Sequence, residues 1–173
     1  MTHNVHALTV DALRRAVSNL GNVMDKAASH AKSQEIPIEN LLQARLFPDM
    51  YNLLQQLQYC CYLAVDLAKH FADGDPPHVG YDEENWEQLR KSVDTTASWL
   101  AGISAARVEK DAAKMVPLFY DDKQGLPAID YAARQAVPNF YFHMVVAYAI
   151  LRHNGVPLGK GDFLGDIGAK PMP

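Results

Sequence analysis

Asn139-Phe140-Tyr141-Phe142-His143-Met144-Val145-Val146-Ala147-Tyr148-Ala149-Ile150-Leu151 is the most apolar stretch of the chain, and its reading decides the fold. At about 13 residues it falls well short of the roughly 20 needed to cross a bilayer. It is apolar nearly all round, as expected of a helix buried on most of its circumference. Asp130 stands where an N-cap would open this helix, and Asn154-Gly155 supplies the left-handed stop that closes it. Pro138 lies inside the run and predicts a kink or local break near Val137. Two strongly polar side chains interrupt the apolar surface, Asn139 and His143, and their spacing of four puts them on one face. A buried polar pair has to be satisfied by each other, by neighbours or by a ligand.

Three more helices can be read outward from this one. Between Val5 and Ala31, apolar residues at Leu13, Val17, Leu20, Met24, Ala27 and Ala31 recur at steps of three and four. Gly21 weakens that helix by about 1 kcal/mol relative to Ala, and it permits close approach of a neighbour. Pro37 opens a short helical piece over Ile38–Arg45. Pro48 and Asp49 then mark a second long helix, with the Asp49 carboxylate complementing its dipole. Its stripe is Met50, Leu53, Leu54, Leu57, Cys61, Ala64, Leu67, Ala68 and Phe71, ended by the exposed loop at 73–77. A third helix starts at Tyr81–Glu84 with Asp82 as N-cap, carries Trp86, Leu89, Val93, Ala97 and Leu100, and ends near Gly102 and Ser104. Residues 104–127 are the least legible. Met115–Tyr120 reads as a short strand, Asp121–Gly125 as a turn, and Leu126–Ile129 as a second strand. The expectation is therefore all-α: one domain over 1–173, a four-helix bundle with a short hairpin before the last helix and an irregular tail after Gly155.

Composition narrows the function. The 173 residues weigh 19.2 kDa, with 49% hydrophobic and 21% charged residues, enough to bury one core. A net charge of −4 leaves no cationic excess for phosphates, so no nucleic-acid partner is expected. The start, Met1-Thr2-His3-Asn4-Val5-His6, lacks the basic and apolar segments of a secretory peptide, and no membrane partner is expected. Cys60 and Cys61 are the two cysteines; adjacent residues on a helix point apart, which fits core thiols in a reducing cytoplasm. Tyr51, Tyr59, Tyr62, Trp86 and Trp99 are more aromatic surface than four stripes bury, so a homodimer is expected.

Other chemistry-bearing residues carry less. His153 suits a helix C-terminus, while His3, His6, His30, His70 and His78 show no paired spacing. Gly159-Lys160-Gly161 lacks the spacing of a phosphate loop, and Asp121 and Asp122 read as a solvated turn.

Leu46-Phe47-Pro48-Asp49-Met50, Val137–His143, Ala149–Gly155 and the tail Gly161-Asp162-Phe163-Leu164-Gly165 together resemble a bacterial and fungal domain-of-unknown-function family of the DinB-like superfamily, over essentially the whole chain. The resemblance implies a four-helix bundle with a metal-site region between the second and fourth helices. The superfamily typically offers three histidines, one from the start of helix two and a His-x-x-x-His pair on the last helix, and includes thiol-dependent transferases and hydrolase-like members. Here His143 matches the second histidine of the pair, Asn139 replaces the first, and the helix-two position falls near Asp49. Such a set is harder than three imidazoles and would bind zinc or nickel less tightly while tolerating manganese or magnesium. Three readings follow. In an enzyme, His143 and Asp49 are catalytic, and a metal on His143, Asp49 and Asn139 activates water or a thiol; without the metal, His143 is a general base oriented by Asp49. In a binding module, Tyr51, Tyr141 and Tyr148 line a pocket with Asn139 for a small organic ligand. In a structural bundle, the polar cluster fixes helix register.

Overall fold

The structure, a computed structural model, describes residues 5–118 and 120–172. The readings that involve Met1–Asn4, including His3, and Phe119 of the expected first strand lie outside the described residues.

A four-residue helix α1 (Val5–Leu8) leads into α2 (Val10–Ser33), whose stripe Leu13, Val17, Leu20, Met24, Ala27 and Ala31 is buried throughout. Helix α3 (Ile38–Gln43) follows Pro37. Helix α4 (Leu53–Ala68) begins later than expected from Pro48 and Asp49. Its N-cap is Asn52, whose side chain accepts from the Gln55 backbone N–H while the Gln55 side chain returns to the Asn52 N–H. That reciprocal box satisfies two donors at once, and a carboxylate at Asp49 satisfies neither. Asp49 sits instead in an exposed turn, held by the Arg45 guanidinium on the carbonyls of Pro48 and Met50.

Helix α5 (Trp86–Ala101) is likewise capped by Asn85, which accepts from Gln88 N–H, rather than by Asp82. The turn before it is committed elsewhere, because the buried Glu83 side chain binds Gly80 and Ser92. Ser104 does not end α5; it caps a further helix, α6 (Ala105–Asp111). The hairpin expected before the last helix is present. Strand β1 (Met115–Leu118) pairs antiparallel with β2 (Asp121–Pro127), which takes up residues expected to be turn.

Helix α7 (Ala128–Tyr131), a π-helical segment (Ala132–Ala136) and α8 (Val137–His153) run on without a break in helical backbone. Pro138 falls in the first turn of α8, and the irregularity it predicts appears as the π segment just upstream. At the other end Gly155 takes φ +87°, with Val156 N–H on Leu151 O and Gly155 N–H on Arg152 O, so the last carbonyls are satisfied. Helix α9 (Lys160–Leu164) is a short regular piece within the tail. It lies on α2, tied by Lys26–Asp162 at 2.5 Å and by Asn19 donating to Leu164 O.

The protein is thus mostly helical with one small sheet. The long helices α2, α4, α5 and α8 enclose the core, α2 packing chiefly on α5 and α4 chiefly on α8. At Gly21 the close neighbour is a side chain, the guanidinium of Arg90 on α5, which pairs with Asp25 at 2.9 Å and with Asp94. Helix α8 is not buried all round: Phe142 and Val145 are 57% and 50% exposed, on the strip away from its neighbours. Among the described residues no helix is long and apolar enough to cross a membrane.

Candidate functional site

His143 on α8 is buried, and its Nδ1 lies 2.7 Å from Oε1 of Gln56 on α4. The amide's orientation follows from its other end, where Gln56 Nε2 donates to the Tyr51 carbonyl at 3.2 Å. Oε1 is therefore the acceptor, so the His143 ring carries its proton on Nδ1 and presents a bare lone pair at Nε2. Among the described residues nothing hydrogen-bonds Nε2, and that nitrogen is not sealed into the core. Burial pushes the His143 pKa down to about 4, so the ring is neutral at physiological pH.

Two tyrosines face the imidazole. Tyr59 stacks on it at 4.7 Å between centroids and 23° between planes, and Tyr51 lies at 6.2 Å and 18°. Their hydroxyls are 3.3 Å apart, and the bond from Tyr51 together with burial raises the Tyr59 pKa. Tyr51 is held because its carbonyl is tied to Gln56 just before the α4 cap; Tyr59 follows one helical turn after Gln55. Phe142 meets the His143 ring edge-on at 5.2 Å. The aromatic contacts continue from Tyr59 to Tyr62 at 6.1 Å and from Tyr62 to Tyr81 at 5.3 Å.

The residues singled out from sequence are only partly gathered here. His143 and Tyr51 come together. Asn139 is half-buried one turn before His143 on α8, and Asp49 stays in the exposed turn between α3 and α4. Tyr141 packs edge-on to Phe140 at 5.4 Å, and Tyr148 reaches the tail, with Leu158 O at 3.5 Å and Phe163 at 5.9 Å. Sequence reasoning missed Gln56 altogether and placed Tyr59 only among surplus aromatics. Gln56 had left a signal, as a polar residue beside Leu53, Leu57 and Cys60 on the buried side of α4. A second buried polar group also belongs to α4: Asp66 accepts from Tyr131 Oη and from Lys69 Nζ at 2.6 Å. Among the described residues no three His, Cys, Asp or Glu side chains gather into a metal-ligand set.

The family described as Domain of unknown function (DUF1993) matches residues 5–164. The chain belongs to that family. A crystal structure of a DinB family member protein from Shewanella denitrificans is similar in fold and sequence to this DUF1993 protein. The TM-score is 0.84 at 31% identity, over 96% of this chain and 95% of that one. The DUF1993 family accordingly stands within the DinB-like superfamily. No curated protein matches the chain.

Proposed function

We propose that this DUF1993 protein is a single DinB-type four-helix-bundle domain that binds a small organic ligand at His143 without metal-dependent turnover. The observation that carries this reading is the neutral imidazole with its open Nε2, stacked against the rings of Tyr51 and Tyr59. A flat ligand bearing an O–H or N–H donor satisfies that lone pair and stacks on the tyrosine faces. General-base catalysis is favoured when the base has a pKa near the working pH, whereas burial holds His143 near 4. Its orienting partner is an amide, which does not stabilise an imidazolium as a carboxylate would.

The three-imidazole metal site of the superfamily is not matched by these residues, since one imidazole is offered and its Nδ1 partner is neutral. A metal-dependent hydrolase or thiol-dependent transferase is the second reading, and it draws on the same open lone pair. His143 would then supply the nitrogen ligand and Asp49 and Asn139 the oxygens, for manganese, zinc or nickel.

Phenol as a probe separates the readings. In the first, phenol shifts the His143 Nε2 resonance saturably in protein stripped with EDTA, the His143→Ala variant loses the response, and manganese, zinc and nickel leave Tm unchanged. A Tm raised by one of those ions in wild type but not in His143→Ala overturns it in favour of the second. We further propose a homodimer through the exposed strip of Phe142 and Val145, located in the cytoplasm. A 19.2 kDa species alone in light scattering at micromolar concentration overturns the dimer.

A further inference from the structure

The His143 ring is set by a relay that begins in the backbone. The Tyr51 carbonyl accepts from Gln56 Nε2 at 3.2 Å, so Gln56 turns Oε1 toward His143 Nδ1, 2.7 Å away, and can only accept there. The ring proton is thereby fixed on Nδ1, and Nε2 has a lone pair but no hydrogen to give. Gln56 is 2% exposed and held at both ends of its amide. Turning the amide over would break both bonds and set its NH₂ against the ring. A carboxylate in this place would stabilise a second ring proton and so an N–H at Nε2; a neutral amide does not.

The surroundings bring no charge to the ring. Its titratable neighbours are the phenols of Tyr51, on the turn before α4, and Tyr59, on α4. Their hydroxyls lie 3.3 Å apart, so one O–H is taken up by the other. Burial acts on His143 and no charged neighbour does. Arg45, the cation of the turn that leads to Tyr51, gives its guanidinium to the Pro48 and Met50 carbonyls. Asp66 and Lys69 pair with each other at the far end of α4, about 15 Å along the helix from Gln56. An anion brought to Nε2 would set its lone pairs against the ring's lone pair, with no cation to replace its lost water. A neutral O–H or N–H meets an acceptor.

We propose that Gln56 is a specificity-determining residue: by holding His143 in its Nδ1–H form, it makes the site select uncharged aromatic donors, undissociated phenols and N–H heteroarenes, and reject carboxylates and phenolates of similar shape. The assignment rests on His143 being a ligand site, and adds to it the charge state of the ligand and the residue that sets it.

The test compares phenol, benzoate and 4-nitrophenol on the full chain stripped with EDTA, read by the ring nitrogen resonances of His143. 4-Nitrophenol ionises near neutral pH to a yellow anion, so its absorbance shows which form is bound. Phenol is expected to bind at least about tenfold more tightly than benzoate. 4-Nitrophenol is expected to bind in its colourless form, with affinity that falls as the free ligand ionises, while His143 keeps its proton on Nδ1. Gln56→Met is close in shape but lacks the acceptor, and is expected to narrow the preference for phenol over benzoate at least about threefold. A merely structural role would weaken both ligands alike and leave their ratio unchanged. If Gln56→Met fails to fold, the colour and ring-nitrogen readouts on wild type decide. Benzoate bound as tightly as phenol, yellow nitrophenolate in the site, a proton on Nε2 in the complex, or an unchanged ratio in Gln56→Met overturns the assignment and leaves the ligand site standing. No response to any of the probes overturns the ligand site itself, and the assignment with it.

Discussion

His143 donates through Nδ1 to Gln56 Oε1 across 2.7 Å, joining α8 to α4 through a neutral amide where many buried histidines meet a carboxylate. The identity of that partner sets the ring's protonation. Gln56→Glu places an anion against Nδ1 and is expected to raise the His143 pKa by about one unit or more, read from its ring proton shifts in an NMR titration. Gln56→Ala leaves Nδ1 unpaired and is expected to cost about 1–3 kcal/mol in urea unfolding.

The same burial makes stability depend on pH. Unfolded histidine takes up its proton near 6.5, whereas His143 in the fold resists protonation to about 4. Between these values the unfolded state binds more protons. The contribution is complete above 6.5 and is lost as pH falls toward 4, up to roughly 3 kcal/mol. Urea unfolding across this range is expected to show a shallower decline in His143→Phe than in wild type. Equal slopes would mean the ring is protonated in the fold.

Cys60 and Cys61 are both fully buried and unpaired as disulfides. Burial, against a weaker opposing bond from Thr96, pushes the Cys61 thiol up to about 12, and burial also raises Cys60. Neither is a nucleophile in the native state. A coloured thiol reagent is expected to react at the rate of unfolding, accelerating with urea in step with loss of circular dichroism.

Glu35 closes α2 with φ +55°, and Ile36 N–H returns to Ala31 O. A side chain in this left-handed position costs about 1–2 kcal/mol, which glycine avoids. Glu35→Gly is expected to raise stability by roughly 0.5–1 kcal/mol after its own entropy in the unfolded chain is offset. Tm by calorimetry reads this directly.

How far the sequence could be read depended on whether a feature was local. The stripe from Leu13 to Ala31 and the Asn154-Gly155 stop announce themselves within a few residues, and both stand as expected. The starts of α4 and α5 were displaced toward Asp49 and Asp82 because a lone acidic residue resembles a cap. What decides each start is the side chain that bonds the exposed N–H groups, Asn52 with Gln55 and Asn85. The pairing of Gln56 with His143 spans 87 positions and has no local trace beyond a polar residue on an apolar face. Glu83 is one of three consecutive acids at 82–84, with nothing local to single it out, and the packing of Gly80 on α4 turns it inward.

The π segment at Ala132–Ala136 acts as a rotational offset. Tyr131 and His143 stand twelve positions apart on one continuous helix, and both hydrogen-bond to side chains of α4, Asp66 and Gln56. Twelve residues of regular α-helix leave the second side chain about 120° around the axis from the first. The extra residue absorbed by a π turn cancels about 100° of that, bringing both onto α4. Removing one residue from 132–136 would give a more regular helix that cannot make both bonds at once. Length variation among relatives at this place should therefore track whether a polar residue occupies the position of Gln56. The irregularity is a phase setting on which the alignment of two distant pairs depends.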